Sequence, residues 1–475
     1  MNKKEITEVF HGGMILNRKI NITIAMALGI FLVMLDTTIM NIALPAIQRG
    51  IEVDYNQLSW TLNIYTIIFA TCTIPLSKFG DIFGKNKTYI VGLVLFGLGS
   101  LLSGLATTFV YLIVGRIFSS LGASILLPLG NAIGLSNWDM KNRFKIVAIL
   151  GLTQGGAAAI GPTLGGVITD FFGWHWIFLM NIPIVIIGIF LSGISLNFNK
   201  DIKSKEKIDW IGSLISMLSL YFLTLSLIKL KDWGIQDPKT IMCFLISIVL
   251  ISLFIFVERT VKHPMIDLNL FKVKDFSASA IVALLAQFFY IGVVVVIPSF
   301  LTNVEHKTEL EAALILLPMS LTVFVFGGLG SLIINKLGPR LLVLVGMISI
   351  LLSYILIVMN GATNSTWLSV ALLILGIGFG IIAGPINVLA ASNFRRSLLT
   401  SSQSVISVVR QIGSVLGVSI FLSMMSSNLK VLRIINLTKL NHAYLSIYNI
   451  WIPVLILLLP VMFSFPTKKT YLVRK

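Results

Sequence analysis

The sequence predicts an all-α polytopic membrane protein, and three observations carry that prediction. Of the 475 residues, 56% are hydrophobic and only 12% are charged, with a mean hydropathy of +0.95, which removes the soluble globular classes. The apolar residues gather into fourteen runs, each near the ~20 residues that a helix rising ~1.5 Å per residue needs to cross a bilayer. The basic residues then fall mostly into every second loop, the bias that sets membrane orientation.

The predicted spans are 20–44, 58–78, 88–107, 109–131, 145–169, 176–196, 209–229, 240–258, 276–302, 311–335, 340–360, 366–391, 399–425 and 445–465. Short connections make neighbours antiparallel. With both termini cytoplasmic, 26 of the 36 Lys and Arg lie on the cytoplasmic side, eight lie opposite, and two, Arg116 and Arg410, fall inside spans. The net charge of +17 is then a matter of topology; no basic face interleaved with aromatics points to nucleic acid. Residues 1–19 are polar and basic, and the first apolar run shows no small-residue cleavage site, so the first span is expected to be retained.

The first span holds one carboxylate, Asp36, in a run otherwise free of charge. Placing an ionised carboxylate there costs at least ~2.5–3.5 kcal/mol, so such an acid marks a functional site by default. The fourth span holds Arg116. Asp36 is eight residues from the outer end of its span, ~12 Å, and Arg116 seven residues from the outer end of its own, ~10 Å. If they face one cavity, Arg116 favours the charged carboxylate and desolvation the protonated one. A group so opposed can take up a proton in one state and release it in another. The other reading is a static pair joining two helices.

The turn after the second span, LSKFGDIFGKNKTYIVG (76–92), and the turn after the tenth, LIINKLGPRLLVLVG (332–346), place Gly84 against Gly338 and Gly92 against Gly346 at one offset of 254 residues. Two homologous six-span bundles separated by two inserted spans would give this spacing. The expected division is a cytoplasmic N-terminus (1–19), a first bundle (20–196), a linker with two extra spans (197–275), a second bundle (276–466) and a cytoplasmic tail (467–475). Asp81, in the first of these turns, can lie against a neighbouring helix N-terminus, where an anion is stabilised by ~0.3–2 kcal/mol. GPTLGG (161–166) puts small residues and a helix-interrupting Pro162 in mid-membrane, which lets helices approach and bend.

Candidate polar cavity residues are Asn41, Asn63, Tyr65, Gln154, Asn181, Gln287, Tyr290, Arg410 and Gln411, among aromatics such as Phe69 and Phe288. A large apolar pocket with few polar anchors suits varied lipophilic ligands. Glu305, Glu309 and Glu311 read as an outer rim, solvated by default, that could attract cations. His263 and His306 are loop residues without ligand spacing. Cys72 and Cys243 lie in apolar runs and read as small hydrophobes rather than a disulfide. No His/Cys cluster predicts a metal, and no paired acids, nucleophile–His pair or metal ligands at one depth predict an enzyme.

In order along the chain, these motifs resemble the fourteen-span drug:proton antiporters of the major facilitator superfamily. LDTTIMNIALPAI (35–47) resembles that family's first-helix motif, with Asp36 as its acid. SKFGDIFGKNK (77–87) is similar to the superfamily's cytoplasmic-loop motif, with Asp81, Gly84 and Lys85 at signature positions but Ser77 where glycine is usual. GRIFSSLGA (115–123) supplies the intramembrane arginine, Arg116, and GPTLGG resembles the antiporter motif, with Gly161, Pro162, Gly165 and Gly166. FFGWHWIFLMNIP (171–183), with His175 where arginine is common, HPMIDLNLF (263–271) and VVRQIGSVLG (408–417) resemble further signatures. Some relatives that export cationic drugs carry an acid in the second span, where this chain offers Asn63.

The resemblance implies a major facilitator fold and a secondary exporter of lipophilic compounds. Its partners would be the bilayer, a lipophilic small molecule and protons. It would use no cofactor beyond the proton gradient, act as a monomer and sit in a bacterial plasma membrane. Asp36 and Arg116 would couple the proton, the 77–87 turn would latch the outward-facing state, and GPTLGG would hinge and seal against proton leak. One deep carboxylate makes one proton per substrate the simplest stoichiometry. The alternative is an exporter of a physiological solute such as an amino acid, peptide, fatty acid or lipid, because fold and motifs do not set substrate.

Overall fold

The computed structural model describes residues 3–53, 55–139, 142–199, 201, 209–262, 264–360, 365–392, 398–431 and 437–473. Among these the chain is helical without strands. The helices are α1 (Lys3–Ile51), α2 (Tyr55–Phe83), α3 (Lys85–Gly104), α4 (Phe109–Ser136), α5 (Arg143–Phe172), α6 (Trp176–Leu179), α7 (Asn181–Ser195), α8 (Trp210–Trp233), α9 (Pro238–Thr260), α10 (Lys274–Asn303), α11 (Glu309–Leu337), α12 (Pro339–Asn360), α13 (Ser365–Ser392), α14 (Leu399–Val431), α15 (Leu437–Leu458) and α16 (Lys468–Val473). In lipid every backbone polar group must be bonded internally, so the apolar runs fold as helices.

Thirteen stretches among the described residues are long and apolar enough to cross a membrane. The remaining predicted span, 145–169, lies within α5, a helix of 30 residues. The first span is part of a longer helix, since α1 begins at Lys3. Helix starts carry the expected caps. Thr108 opens α4, Asp209 opens α8, and Asp237 opens α9 ahead of Pro238; each side chain accepts a backbone N–H that the helix leaves unsatisfied.

Helices α1–α7 pack into one bundle and α10–α15 into a second. The inserted α8–α9 pair sits at the seam between them, with α8 against α2, α14 and α9. Helix α9 faces outward, exposing Met242, Ile248, Val249 and Phe256, as a lipid-facing helix does.

The two turns that hold Gly84 and Gly338 share a backbone geometry. Both have positive φ, 110° and 85°. Gly84 N–H bonds the Gly80 carbonyl and Thr88 N–H the Gly84 carbonyl; Gly338 N–H bonds Ile334 and Leu342 N–H bonds Gly338. A positive φ is the glycine-favoured region, and it lets one helix end and the next begin within a single residue. The residues 254 apart beyond the turns also act alike. Asn86 Nδ2 donates to the Asn197 carbonyl (3.1 Å), and Arg340 Nε donates to the Phe465 carbonyl (2.9 Å). Each ties its turn to the chain leaving the last span of its own bundle.

The bundles meet where α14 packs on α2 and α4 and where α5 packs on α11 and α13. Ser404 Oγ donates to Ser77 Oγ at 2.6 Å. Between α5 and α11, Gly155 packs on the Phe324 backbone, and Gly151 on that of Gly327. All these contacts lie between mid-helix and the basic end, where Lys85, Arg143, Lys336 and Arg340 stand.

Candidate functional site

The sequence places an acid in α1 and a base in α4, and the fold closes them on each other. Arg116 Nη1 donates to Asp36 Oδ2 at 2.7 Å, with the side chains 1% and 0% exposed. Arg116 Nε donates to the Thr61 carbonyl at 3.3 Å. The guanidinium stands 4.4 Å from the Tyr65 ring centre and 5.9 Å from that of Phe178, so two aromatic faces share its charge. Ser120, one turn along α4, donates to the Tyr65 carbonyl at 2.6 Å, which fixes α2 against α4. Asp36 Oδ1 is buried with no hydrogen-bond partner. A buried polar atom left open asks for a function.

Helix α5 packs beside this pair. A methyl at Gly161 would overlap the Thr38 hydroxyl, and one at Gly165 would overlap Ile39, so the small residues of GPTLGG are what let α5 touch α1 two residues from Asp36. Gly166 is partly exposed on the same helix. The expected interruption at Pro162 is corrected. Helix α5 runs unbroken from Arg143 to Phe172, since a proline within a long membrane helix forfeits only local backbone bonds that its surroundings can replace. The Pro162 side chain lies outside the described residues.

At the basic end, Asp81 pairs with Lys85 at 3.2 Å and lies against Thr400 in the first turn of α14. This is the helix N-terminus anticipated for it. Ser77, the departure from the superfamily pattern, supplies the cross-bundle bond to Ser404. A Cβ on Gly84 would overlap the Asp201 carboxylate, which accepts the Asn86 N–H at 2.9 Å. Partial burial of Asp201 pushes its carboxyl above the usual range, against the pull of backbone N–H groups at the start of α3.

The other candidates divide. Asn63, Gln154, Gln287, Tyr290, Arg410 and Gln411 are partly exposed along their helices. Tyr290 stacks on Phe379 of α13 at 4.2 Å. Tyr65 belongs to the charge pair rather than to an open wall. Asn181 is not with them: it is 1% exposed and its Nδ2 bonds Ser100 Oγ at 3.2 Å, joining α7 to α3. A polar residue in a span satisfies itself against a neighbouring helix as readily as against a cavity. Phe288 likewise packs with Phe421 and Trp451 in the second bundle, and Phe69 is 5% exposed. The side chains of Asn41 and Glu309, and all of His263, lie outside the described residues.

The outer glutamates take the solvated reading. Glu311 and Thr308 form a capping box at the start of α11, and those bonds hold the Glu311 carboxyl below its ordinary range. Glu305 accepts from Ser365 Oγ at 3.3 Å and lies 3.8 Å from Lys307. His306 is exposed, and His175 stacks on Trp174 at 3.7 Å. Among the described residues no group of His, Cys, Asp or Glu could hold a metal. Sequence reasoning missed Asn387, which accepts from Arg410 Nη2 at 3.1 Å. An Asn inside the apolar twelfth span was the signal.

Two helical bundles meeting at one end, with a desolvated acid–base pair inside the first, are an architecture that membrane transporters share. The chain belongs to the Major Facilitator Superfamily, whose family model matches residues 26–418. It is 28% identical over 406 residues to multidrug resistance protein Stp of Mycobacterium tuberculosis, covering 85% of this chain and 75% of that protein. It is 27% identical over 404 residues to multidrug export protein EmrB of Haemophilus influenzae, covering 84% and 79%. Among solved structures it superposes on a double-tryptophan mutant of XylE with a TM-score of 0.68 at 13% identity, covering 96% of this chain and 99% of that one. The last likeness speaks for the fold alone.

Proposed function

We propose that the chain is a proton-driven exporter of lipophilic compounds that works by alternating access, with Asp36 as the proton carrier. The observation that carries this reading is the half-satisfied carboxylate, with Oδ2 on Arg116 and Oδ1 buried and open. Protonation of Oδ1 removes the charge that holds Arg116, and loss of one partner of a buried pair is worth ~3–5 kcal/mol, enough to bias two conformations. The names of the relatives, multidrug resistance and multidrug export proteins, support efflux of drugs or dyes.

The packing offers a route from proton to gate. Asp36 is two residues from Thr38, on which Gly161 of α5 rests; ten residues earlier, Gly151 of that same helix rests on α11 of the second bundle. A shift of α1 on losing its charge pair moves against α5, and α5 is half of the cross-bundle contact. The Ser77–Ser404 bond and Asp81 beside Thr400 close the basic end, so the structure corresponds to the outward-facing state if that end is cytoplasmic, as the distribution of Lys and Arg indicates. In this reading both termini are cytoplasmic, the membrane is a bacterial plasma membrane, and the monomer is the working unit.

One proton per substrate makes exchange for a monovalent cation electroneutral, driven by ΔpH at about 1.4 kcal/mol per unit. A neutral substrate also draws on the membrane potential, ~2.3 kcal/mol per 100 mV. The test is accumulation of a panel of lipophilic dyes in a host stripped of its own pumps. Expression should lower accumulation of several dyes, and Asp36→Asn should abolish that effect at equal membrane abundance. If no dye responds while a physiological solute is exported, the drug reading is wrong.

A further inference from the structure

Arg410 is the second intramembrane arginine, and no acid among the described residues answers it. It stands eleven residues into α14 from Leu399, about 16 Å along the helix. The chain has 19 Asp and Glu; apart from Asp36, each of those among the described residues lies in a loop or near a helix end, and Asp36 is held by Arg116. Arg410 makes two bonds, both from Nη2: to the Ala383 carbonyl at 3.3 Å and to Asn387 Oδ1 at 3.1 Å. Both acceptors are neutral groups of α13.

The remaining edge of the guanidinium, Nε and Nη1, has no acceptor among the described residues and is not sealed in the packing. Arg410 is partly exposed, on a helix that packs against α10, α13 and α15 of its own bundle and against α2, α4 and α8, so this edge opens between helices. Phe379, Ala383 and Asn387 follow one another at intervals of four along α13, which puts them on one helix face. Phe379 and Ala383 are partly exposed too. One turn from the arginine contact, Phe379 carries the stacked ring of Tyr290 from α10.

A guanidinium edge offers two parallel N–H donors that match a carboxylate bidentately, and a charge left without a counter-ion in this setting is costly. We propose that Arg410 and the Tyr290–Phe379 stack form an anion subsite, which receives the carboxylate of an amphiphilic aromatic substrate and lays its ring beside the aromatic pair. Asn387 and the Ala383 carbonyl are positioning groups: they hold Nη2 and turn the free edge toward that opening. This deepens the export reading and rests on it, by naming lipophilic monoanions as a substrate class.

The experiment uses the full chain in nanodiscs and three matched fluorescent probes: 4-(1-pyrenyl)butyrate, its methyl ester, and 4-(1-pyrenyl)butyl-trimethylammonium. Wild type should bind the carboxylate at least tenfold more tightly than the ester, with the ammonium weakest. Arg410→Gln should bring the carboxylate-to-ester ratio close to one, and Arg410→Lys should keep part of it. The wild-type ranking alone decides the matter if Arg410→Gln does not fold. Tightest binding of the ammonium, or equal binding of all three by wild type, overturns the subsite. So does a carboxylate preference that Arg410→Gln leaves intact. Export of the probes from energised vesicles separates the two readings. Carboxylate preference without export of any probe leaves the subsite standing and removes the export function; export with cation preference does the reverse.

Discussion

The closure at the basic end includes contacts whose individual strength can be set out and tested. Ser77→Ala removes the 2.6 Å bond from Ser404, a net loss of about 0.5–1.5 kcal/mol. Asp81→Asn removes the carboxylate that faces the first turn of α14, worth about 0.3–2 kcal/mol. Together they weaken closure by about 2 kcal/mol, and because 1.4 kcal/mol is tenfold, the open fraction at this end rises about 30-fold. The α5–α11 contact, made by glycine against backbone, remains and keeps the change finite. Spin labels at exposed Lys145 and Leu337, on the basic ends of α5 and α11, report the separation by pulsed dipolar spectroscopy. Cys72 and Cys243 are buried and do not compete for label. The double variant should show a second, longer distance, and Ser77→Ala alone a smaller one. An unchanged distribution in a folded, correctly inserted double variant would refute the latch.

Four further outcomes follow from the same geometry. Gly161→Ala drives a methyl into Thr38, an overpacking cost of about 1–3 kcal/mol; the melting temperature should fall, and Thr38→Ala in the same chain should recover only part of it, because the Cβ of residue 38 still meets the new methyl. Gly84→Ala meets both an unfavourable φ of 110° and the Asp201 carboxylate, for about 1–3 kcal/mol, whereas Gly173→Ala, with the same sign of φ but open space around it, should cost less in the same thermal assay. Because Glu311 titrates below its ordinary range, its support of the α11 start is complete above the unfolded value near 4.3 and is lost as pH falls through the folded one. Hydrogen exchange at residues 311 and 312 should lose protection, relative to mid-helix amides, between pH 6 and pH 3; Glu311→Gln should remove that pH dependence, and Thr308→Ala, which keeps the backbone N–H bonded to the carboxylate, should only reduce it. Arg116→Lys keeps the charge but not the planar fork, so it forfeits either the Asp36 or the Thr61 contact; coupling should drop at least tenfold while the protein remains folded.

Much of the site was legible because burial leaves charges few choices. Two opposite charges at one depth in apolar runs had to meet, and Asp36 and Arg116 do. The glycine turns were legible from a single offset, because a positive φ between two helices demands glycine twice. Neutral polar residues were not legible in the same way. Asn181 serves α3 rather than a cavity, since an amide finds a partner such as Ser100 wherever a neighbouring helix offers one. Phe288 was as compatible with an aromatic core as with a cavity wall, and the core took it. Pro162 signalled a break that the backbone does not make. Ser77 looked like a departure from a motif and is the residue that bonds the two bundles. The partner of Arg410 lay in plain sight as Asn387, but nothing in spacing along the chain links residues 387 and 410.

The central claim is that Asp36 carries the proton. Purified protein in proteoliposomes, held with a pH reporter and challenged with cationic, neutral and anionic lipophiles, tests it most directly. Wild type should exchange protons on addition of at least one substrate, and Asp36→Asn should bind the substrate yet exchange none. Undiminished proton exchange by Asp36→Asn would contradict the account and place the proton site elsewhere.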